Sequence, residues 1–313
     1  MLESKFGLMR PVLVLTAISV EFNAMREHLI DPEWAAHGGT RCETGLLEGT
    51  GRPVVLAELG PGNIRTGVLA EQLRTGFDPA AILFTGVAGG LKDDLALGDV
   101  VVGDKIYAFE AAKHVPGGEE LTRPSAWHPS HLLLQTARHS LRGTEWYGRI
   151  KPGRGTVEPA VHIKPIAAGE VLLNAVDSRV RELLHRQFND AAAIETESAG
   201  LAAAAALTGT ETLTIRAISD FADGNKSAAD ATGSQHLAAA HAAAATAAVI
   251  AGLPSDEEWG KRPAAAGSEP GEGKPARQYH QVNKAVGKGT VYGVQNGSLT
   301  VNLGAGSPDH ERG

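Results

Sequence analysis

A single cysteine in 313 residues, Cys42, excludes an intrachain disulfide and any zinc or iron–sulfur site that needs several thiolates. It reads as an inert small side chain and suits a reducing cytoplasm. Aromatic residues are sparse at 5%, and positive charge is in deficit: 29 basic against 36 acidic side chains leave −7. Such a balance offers no broad basic surface for phosphates, which excludes a bulk DNA or RNA binder. Uncharged apolar runs of ~18 residues are missing. The nearest, the alanine-rich 237–252, is interrupted by His241 and too weakly hydrophobic to span a bilayer, so no membrane association is expected. Lys5 and Arg10 precede only about eight apolar residues with no small-residue cleavage site behind them, so this stretch reads as a first core strand, not a leader. The 12 histidines show no metal-ligand spacing, and there is no repeat or heptad array. A soluble cytoplasmic protein without metal or other cofactor is the expectation.

What is present is a 42% apolar chain with enough residues for a full core. Apolar, β-branched runs bounded by glycine or proline at 11–17, 53–59 and 81–87 predict strands, with helices at 19–30 and 63–76, the second opened by Gly60-Pro61-Gly62-Asn63. Further strands fit 98–108, 161–168, 190–195 and 211–218, and further helices 130–142, 174–187, 196–207 and 234–252. Alternation of this kind predicts an α/β fold over residues 1–253, with a mostly parallel, twisted central sheet flanked by helices. After Pro254 the composition turns to Pro, Gly, Ser, Glu and Lys, which cannot bury enough surface to offset chain entropy. Residues 254–278 therefore read as a flexible linker. In 279–313 the pair Asn296-Gly297, between two short β-prone runs, is a type I′ hairpin signal. A lone hairpin is marginal in water. The tail is expected either to stay disordered or to add its edge to a partner protein.

Three segments place acidic or glycine-rich elements just past predicted strand ends, where open α/β sheets bind ligands. They are TAISVEF at 16–22, TGVAGG at 85–90, and the pair AIETES at 193–198 with RAISDFAD at 216–223. The last pair supplies Glu195, Glu197 and Asp220. Carboxylates buried at strand ends are costly unless used or paired. Helix caps and ion pairs are the structural alternative for each taken alone.

Taken in order, the four motifs Thr16-Ala17-Ile18-Ser19-Val20-Glu21, Gly86-Val87-Ala88-Gly89-Gly90, Ile194-Glu195-Thr196-Glu197-Ser198 and Arg216-Ala217-Ile218-Ser219-Asp220 resemble a known pattern. It is that of the nucleoside phosphorylase and nucleosidase superfamily, particularly the 5′-methylthioadenosine/S-adenosylhomocysteine nucleosidases. The resemblance covers about residues 11–253 and extends to the Gly60-Pro61-Gly62-Asn63 turn and to GLKDDLALGDVVVGD at 90–104. It implies a purine nucleoside N-ribohydrolase acting on an adenine nucleoside, a homodimer with a small-molecule partner and no cofactor. Asp220 matches the acid that protonates purine N7, a task that needs a pKa raised by burial. Glu197 matches the acceptor for the ribose 2′- and 3′-hydroxyls, and Glu21 the base that deprotonates the attacking water. Val87, Ala88 and Gly89 would line the sugar and nucleophile pocket, Thr196 the floor beneath the ribose, and Leu172 and Leu173 the base.

Phosphorylases of this superfamily typically place an arginine and a hydroxyl where this chain has Phe84 and Val87. A phenylalanine cannot bind a phosphate dianion and Glu21 would repel one, so water is the expected nucleophile. Val87 also replaces a hydroxyl common in nucleosidases, Thr196 replaces a methionine, and Leu172 stands where a phenylalanine usually stacks on adenine. Losing that ring weakens base affinity by on the order of 1 kcal/mol or more. The stretch ISDFADGNKSAAD also resembles phosphorylase-type domains of multidomain defence proteins. The alternatives are therefore a phosphorylase, an adenine-nucleotide-cleaving defence effector, or a non-catalytic nucleotide-sensing and assembly module using 279–302. Three retained carboxylates argue against the last.

Overall fold

The computed structural model describes residues 9–116, 120–151, 158–225, 229 and 231–255. The linker beyond Ser255 and the tail with Asn296-Gly297 lie outside the described residues.

Strands β1 (Val12–Thr16), β4 (Pro53–Glu58), β5 (Ala81–Gly90) and β12 (Thr212–Asp220) lie side by side and parallel in the order β4-β1-β5-β12. Their runs of Val, Leu and Ile are apolar on both faces because both faces are covered. Val12, Val14, Leu83 and Ile215 point to one side, where α1 (Ser19–Arg26), α3 (His131–Ser140) and α6 (Ser234–Ala251) pack. Leu13, Leu15, Ile82 and Phe84 point to the other, against α2 (Asn63–Phe77) and α5 (Ser198–Thr208). The α/β class expected from the alternation is the fold observed.

Helix α6 is rich in alanine and buried along most of its length. Alanine has the highest helix propensity and loses no side-chain entropy on burial, so a helix of this composition suits close packing on a sheet. Two of its buried polar residues bond to neighbours: Thr246 donates to the Thr85 hydroxyl at 2.8 Å, and His241 Nδ1 lies 2.8 Å from the Gly98 carbonyl.

The helix expected over 19–30 stops at Arg26. Residues Leu29–His37 and Thr40–Leu47 instead form the antiparallel hairpin β2–β3, and β3 pairs antiparallel with β4. β2 is an edge strand, so it tolerates Pro32, and its register breaks between Ile30 and Glu33 around Asp31 at φ 48°. The helix expected over 174–187 starts only at Arg179 as α4 (Arg179–Gln187).

On its other side β12 pairs antiparallel with β6 (Val100–Ala108), which runs parallel to β10 (Val161–Ala168). β10 is parallel to β11 (Ala193–Glu195), and β11 returns antiparallel to β5. Five strands, β5, β12, β6, β10 and β11, thus close a ring. The short β9 (Ser125–Trp127) pairs with β6, while β7 (Ala112–His114) and β8 (Glu120–Thr122) pair with each other. At the start of β4, Arg52 Nη2 donates to the carbonyls of Leu253 (3.0 Å) and Pro254 (2.8 Å), fastening the last described turn there. Among the described residues no helix is long and apolar enough to cross a membrane.

Candidate active site

The ring brings the carboxyl ends of β1, β5, β11 and β12 around a cavity of about 240 Å³. Its walls include every residue singled out from the sequence: Glu21, Val87, Ala88, Gly89, Leu172, Leu173, Thr196, Glu197 and Asp220. Larger hollows of about 420 and 430 Å³ lie elsewhere on the surface, and neither gathers a cluster of acids.

Glu21 enters from the first turn of α1. Its Oε2 accepts the Ala17 and Ile18 N–H groups at 2.8 and 3.1 Å, serving the orphan donors of that helix, and its Oε1 accepts the Val87 N–H at 2.8 Å. Gly86 is required here, since a Cβ would lie 2.3 Å from Glu21 Oε1 and from Arg216 Nη1. Burial pushes the Glu21 carboxyl above the usual carboxylate range, against the opposing pull of Arg216 and the three N–H groups.

Glu195 and Glu197 flank the start of α5 and divide the work. Glu195 caps the helix, accepting from the N–H groups of Glu197 (3.2 Å) and Ser198 (3.0 Å) and from the Ser198 hydroxyl (2.9 Å). That leaves the Glu197 carboxylate to face the cavity, where it is held by the Gly62 N–H at 3.3 Å and the Thr196 hydroxyl. Asp220 lies just past a break in the β12–β5 register between Ile218 and Asp220. Such a bulge re-aims side chains, and both Ser219 and Asp220 line the cavity. The Asp220 carboxylate accepts the Ala222 N–H and the Ser219 hydroxyl, each at 2.9 Å.

The residue that ties these groups together is Arg216, which has 0% exposure. Its Nη2 reaches Glu195 and, at 3.1 Å, Glu197, while Nη1 lies 3.8 Å from Glu21 Oε1. The Phe84 ring lies beneath the guanidinium at 4.3 Å. Sequence reasoning named Arg216 only as part of a motif and expected no cation at the nucleophile end of the site. Arg216 brings a guanidinium behind the cavity wall, wholly buried and shared among three carboxylates, so the local balance stays negative. The available signal was the lone arginine inside an apolar strand, because a buried charge requires partners and strand-end glutamates are the nearest supply. Phe84 is thus a seat for Arg216, and Val87 contributes its N–H instead of a hydroxyl.

Leu173 is buried, whereas Leu172 is 70% exposed at the rim of the cavity. Gln235, near the start of α6, completes the wall and was not singled out from the sequence. Among the described residues no group of histidine, cysteine and acidic side chains has the geometry to hold a metal ion. Cys42 is buried, with its thiol pushed up to about 11 by burial.

The family profile of the phosphorylase superfamily matches residues 11–251. The chain belongs to the phosphorylase superfamily. Among superfamily relatives, the 5′-methylthioadenosine/S-adenosylhomocysteine nucleosidase of Chromohalobacter salexigens is 28% identical over 217 residues, 68% of this chain and 86% of the relative. The ATP nucleosidase Cap17 of Escherichia coli is 26% identical over 237 residues, 69% of this chain and 46% of that one. The solved structure of the 5′-methylthioadenosine/S-adenosylhomocysteine nucleosidase from Neisseria meningitidis, in complex with methylthio-immucillin-A, superposes with a TM-score of 0.65. Its identity is 24%, and it covers 78% of this chain and 100% of that one. Futalosine hydrolase of Helicobacter pylori gives the same TM-score at 20% identity, over 78% of this chain and 98% of that one. The two superpositions carry the superfamily fold.

Proposed function

We propose that this chain is an N-glycosidic hydrolase of an adenine nucleoside such as methylthioadenosine or adenosylhomocysteine. The observation that carries the reading is the convergence of Asp220, Glu197 and Glu21 on one cavity from three different elements. Cleaving a purine glycosidic bond builds positive charge on the sugar and negative charge on the departing base. Asp220 donates the proton that neutralises the base at N7. Glu197, an acceptor-only carboxylate when ionised, takes the ribose 2′- and 3′-hydroxyls and favours the developing cation. Glu21 takes a proton from the attacking water, and Arg216 Nη1, which has no hydrogen-bond partner among the described residues, lies 3.8 Å from Glu21 Oε1. Ala88 and Gly89 line the sugar, Thr196 lies under the ribose, and Leu172 and Leu173 flank the base. The family likeness, rather than the site, supports a cytoplasmic homodimer working in methionine salvage without a cofactor.

Charge weighs against two alternatives. Glu21, Glu195, Glu197 and Asp220 line the cavity, and Arg216 is shared by the three glutamates, an excess of negative charge that disfavours both inorganic phosphate and a 5′-polyphosphate. A panel of methylthioadenosine, adenosylhomocysteine, adenosine, inosine and ATP, with and without phosphate, tests the reading through release of free base and phosphorus NMR of the products. Free adenine with a free 5′-substituted ribose is expected. A sugar 1-phosphate rising with added phosphate makes the protein a phosphorylase, and preferential cleavage of ATP makes it a nucleotide hydrolase.

A further inference from the structure

Asn63 is the first residue of α2, and neither end of its side chain is spent on that helix. Its Nδ2 donates to the carbonyl of Gly169 at 2.8 Å, and its Oδ1 accepts the N–H of Gly200 at 3.1 Å. Gly169 opens the loop that carries Leu172 and Leu173, and its own N–H is fixed to the Glu195 carbonyl at 3.1 Å. Gly200 lies in the first turn of α5, three residues beyond Glu197. The residue before Asn63, Gly62, gives its N–H to the Glu197 carboxylate, and Pro61 lines the cavity. One amide thus spans the two segments that carry the base wall and the ribose carboxylate, at the point where the turn 60–62 meets both. The crossing is tight: a Cβ at Gly200 would lie 1.9 Å from the Asn63 carbonyl oxygen.

We infer that Asn63 is a positioning residue for nucleoside binding, setting the distance between the loop bearing Leu172 and Leu173 and the carboxylate of Glu197 without touching the reacting atoms. The inference rests on the nucleoside reading for its kinetic arm only. Neither Glu21 nor Asp220 is tied to Asn63, so the defect belongs in binding and not in the chemical step. Asn63→Asp keeps the acceptor for Gly200 and places a second acceptor against the Gly169 carbonyl, releasing the base loop selectively. Asn63→Ala releases both segments.

The test has two arms on the full chain. In hydrogen exchange without substrate, Asn63→Asp is expected to speed the amides of Gly169 and Glu170, which are bonded to the Glu195 carbonyl and the Glu110 carboxylate, by about tenfold or more while those of α2 and α5 keep their protection, and Asn63→Ala to loosen the first turn of α5 as well. In kinetics with methylthioadenosine, KM is expected to rise about tenfold for Asn63→Asp with kcat within about threefold and the pH profile unmoved. Unchanged exchange at Gly169 and Glu170 overturns the inference whatever the activity. A fall in kcat at constant KM, or a lower melting temperature with both arms otherwise unchanged, also overturns it, since that is the behaviour of a helix-to-helix stitch. Wild-type chain that releases no adenine, with the exchange effect present, overturns the nucleoside reading and leaves the positioning role standing.

Discussion

At the scale of single residues, the proposed roles of Asp220 and Glu21 can be tested separately. Asp220→Asn retains the shape of the side chain but removes the transferable proton. Base release is expected to fall roughly 10²–10⁴-fold with adenine binding largely kept, as calorimetry and single-turnover assays would show. Wild-type turnover in that variant would move the acid elsewhere. For Glu21, burial raises the carboxyl above its ordinary value of 4.5. A base must be ionised to act, so the acid limb of kcat/KM is expected above the usual carboxylate range. Stability has the opposite sign. A carboxyl raised on folding favours the folded state most below its unfolded pKa, and that contribution is lost as pH rises through the raised value. Urea unfolding at about pH 5 and about pH 7 should therefore show a flatter dependence in Glu21→Gln than in wild type. At this scale Glu21, Glu197 and Asp220 were legible because acids at strand ends are conspicuous in an apolar setting. Arg216 was flagged only indirectly: a lone arginine in an apolar strand signals that it has buried partners, but which three glutamates they are emerges only from the fold.

Among the elements, the contact between α2 and α5 is the one with least room. Gly200→Ala puts a methyl within 1.9 Å of the Asn63 carbonyl oxygen and 3.0 Å of the Gly67 nitrogen, both backbone atoms that do not yield cheaply. A loss of about 1–3 kcal/mol in unfolding free energy is expected, together with weaker nucleoside binding as the turn holding Glu197 shifts. Gly148→Ala, which meets nothing within 4 Å, is the control and should stay within about 0.5 kcal/mol of wild type. The strands at 11–17, 53–59, 81–87 and 211–218 were legible because burial on both faces leaves continuous apolar runs. The hairpin β2–β3 was hidden for the converse reason. Asp31, Pro32 and Glu33 make its edge strand polar, so the helical periodicity of 19–26 seemed to run on to Ile30. Nor does local sequence mark the closure of β11 onto β5, since a three-residue strand gains its identity only from partners far along the chain.

For the whole molecule, the described core is complete by Pro254: β12 and α6 are in place, and Arg52 holds the carbonyls of Leu253 and Pro254. A chain shortened to end at Ser255 is expected to fold, to turn over substrate at the full-length rate, and to melt within about 2 °C of it, a shift below what 1 kcal/mol produces in a domain of this size. Loss of activity would mean that residues beyond 255 belong to the catalytic unit. The Arg52 clasp has a practical corollary. It sits where β4 begins, whereas the cavity opens where the parallel strands end, and the six residues of β4 span roughly 20 Å. A dye, bead or surface tether attached at position 255 would therefore start at the opposite end of the strands and leave the mouth of the cavity clear for immobilised assays.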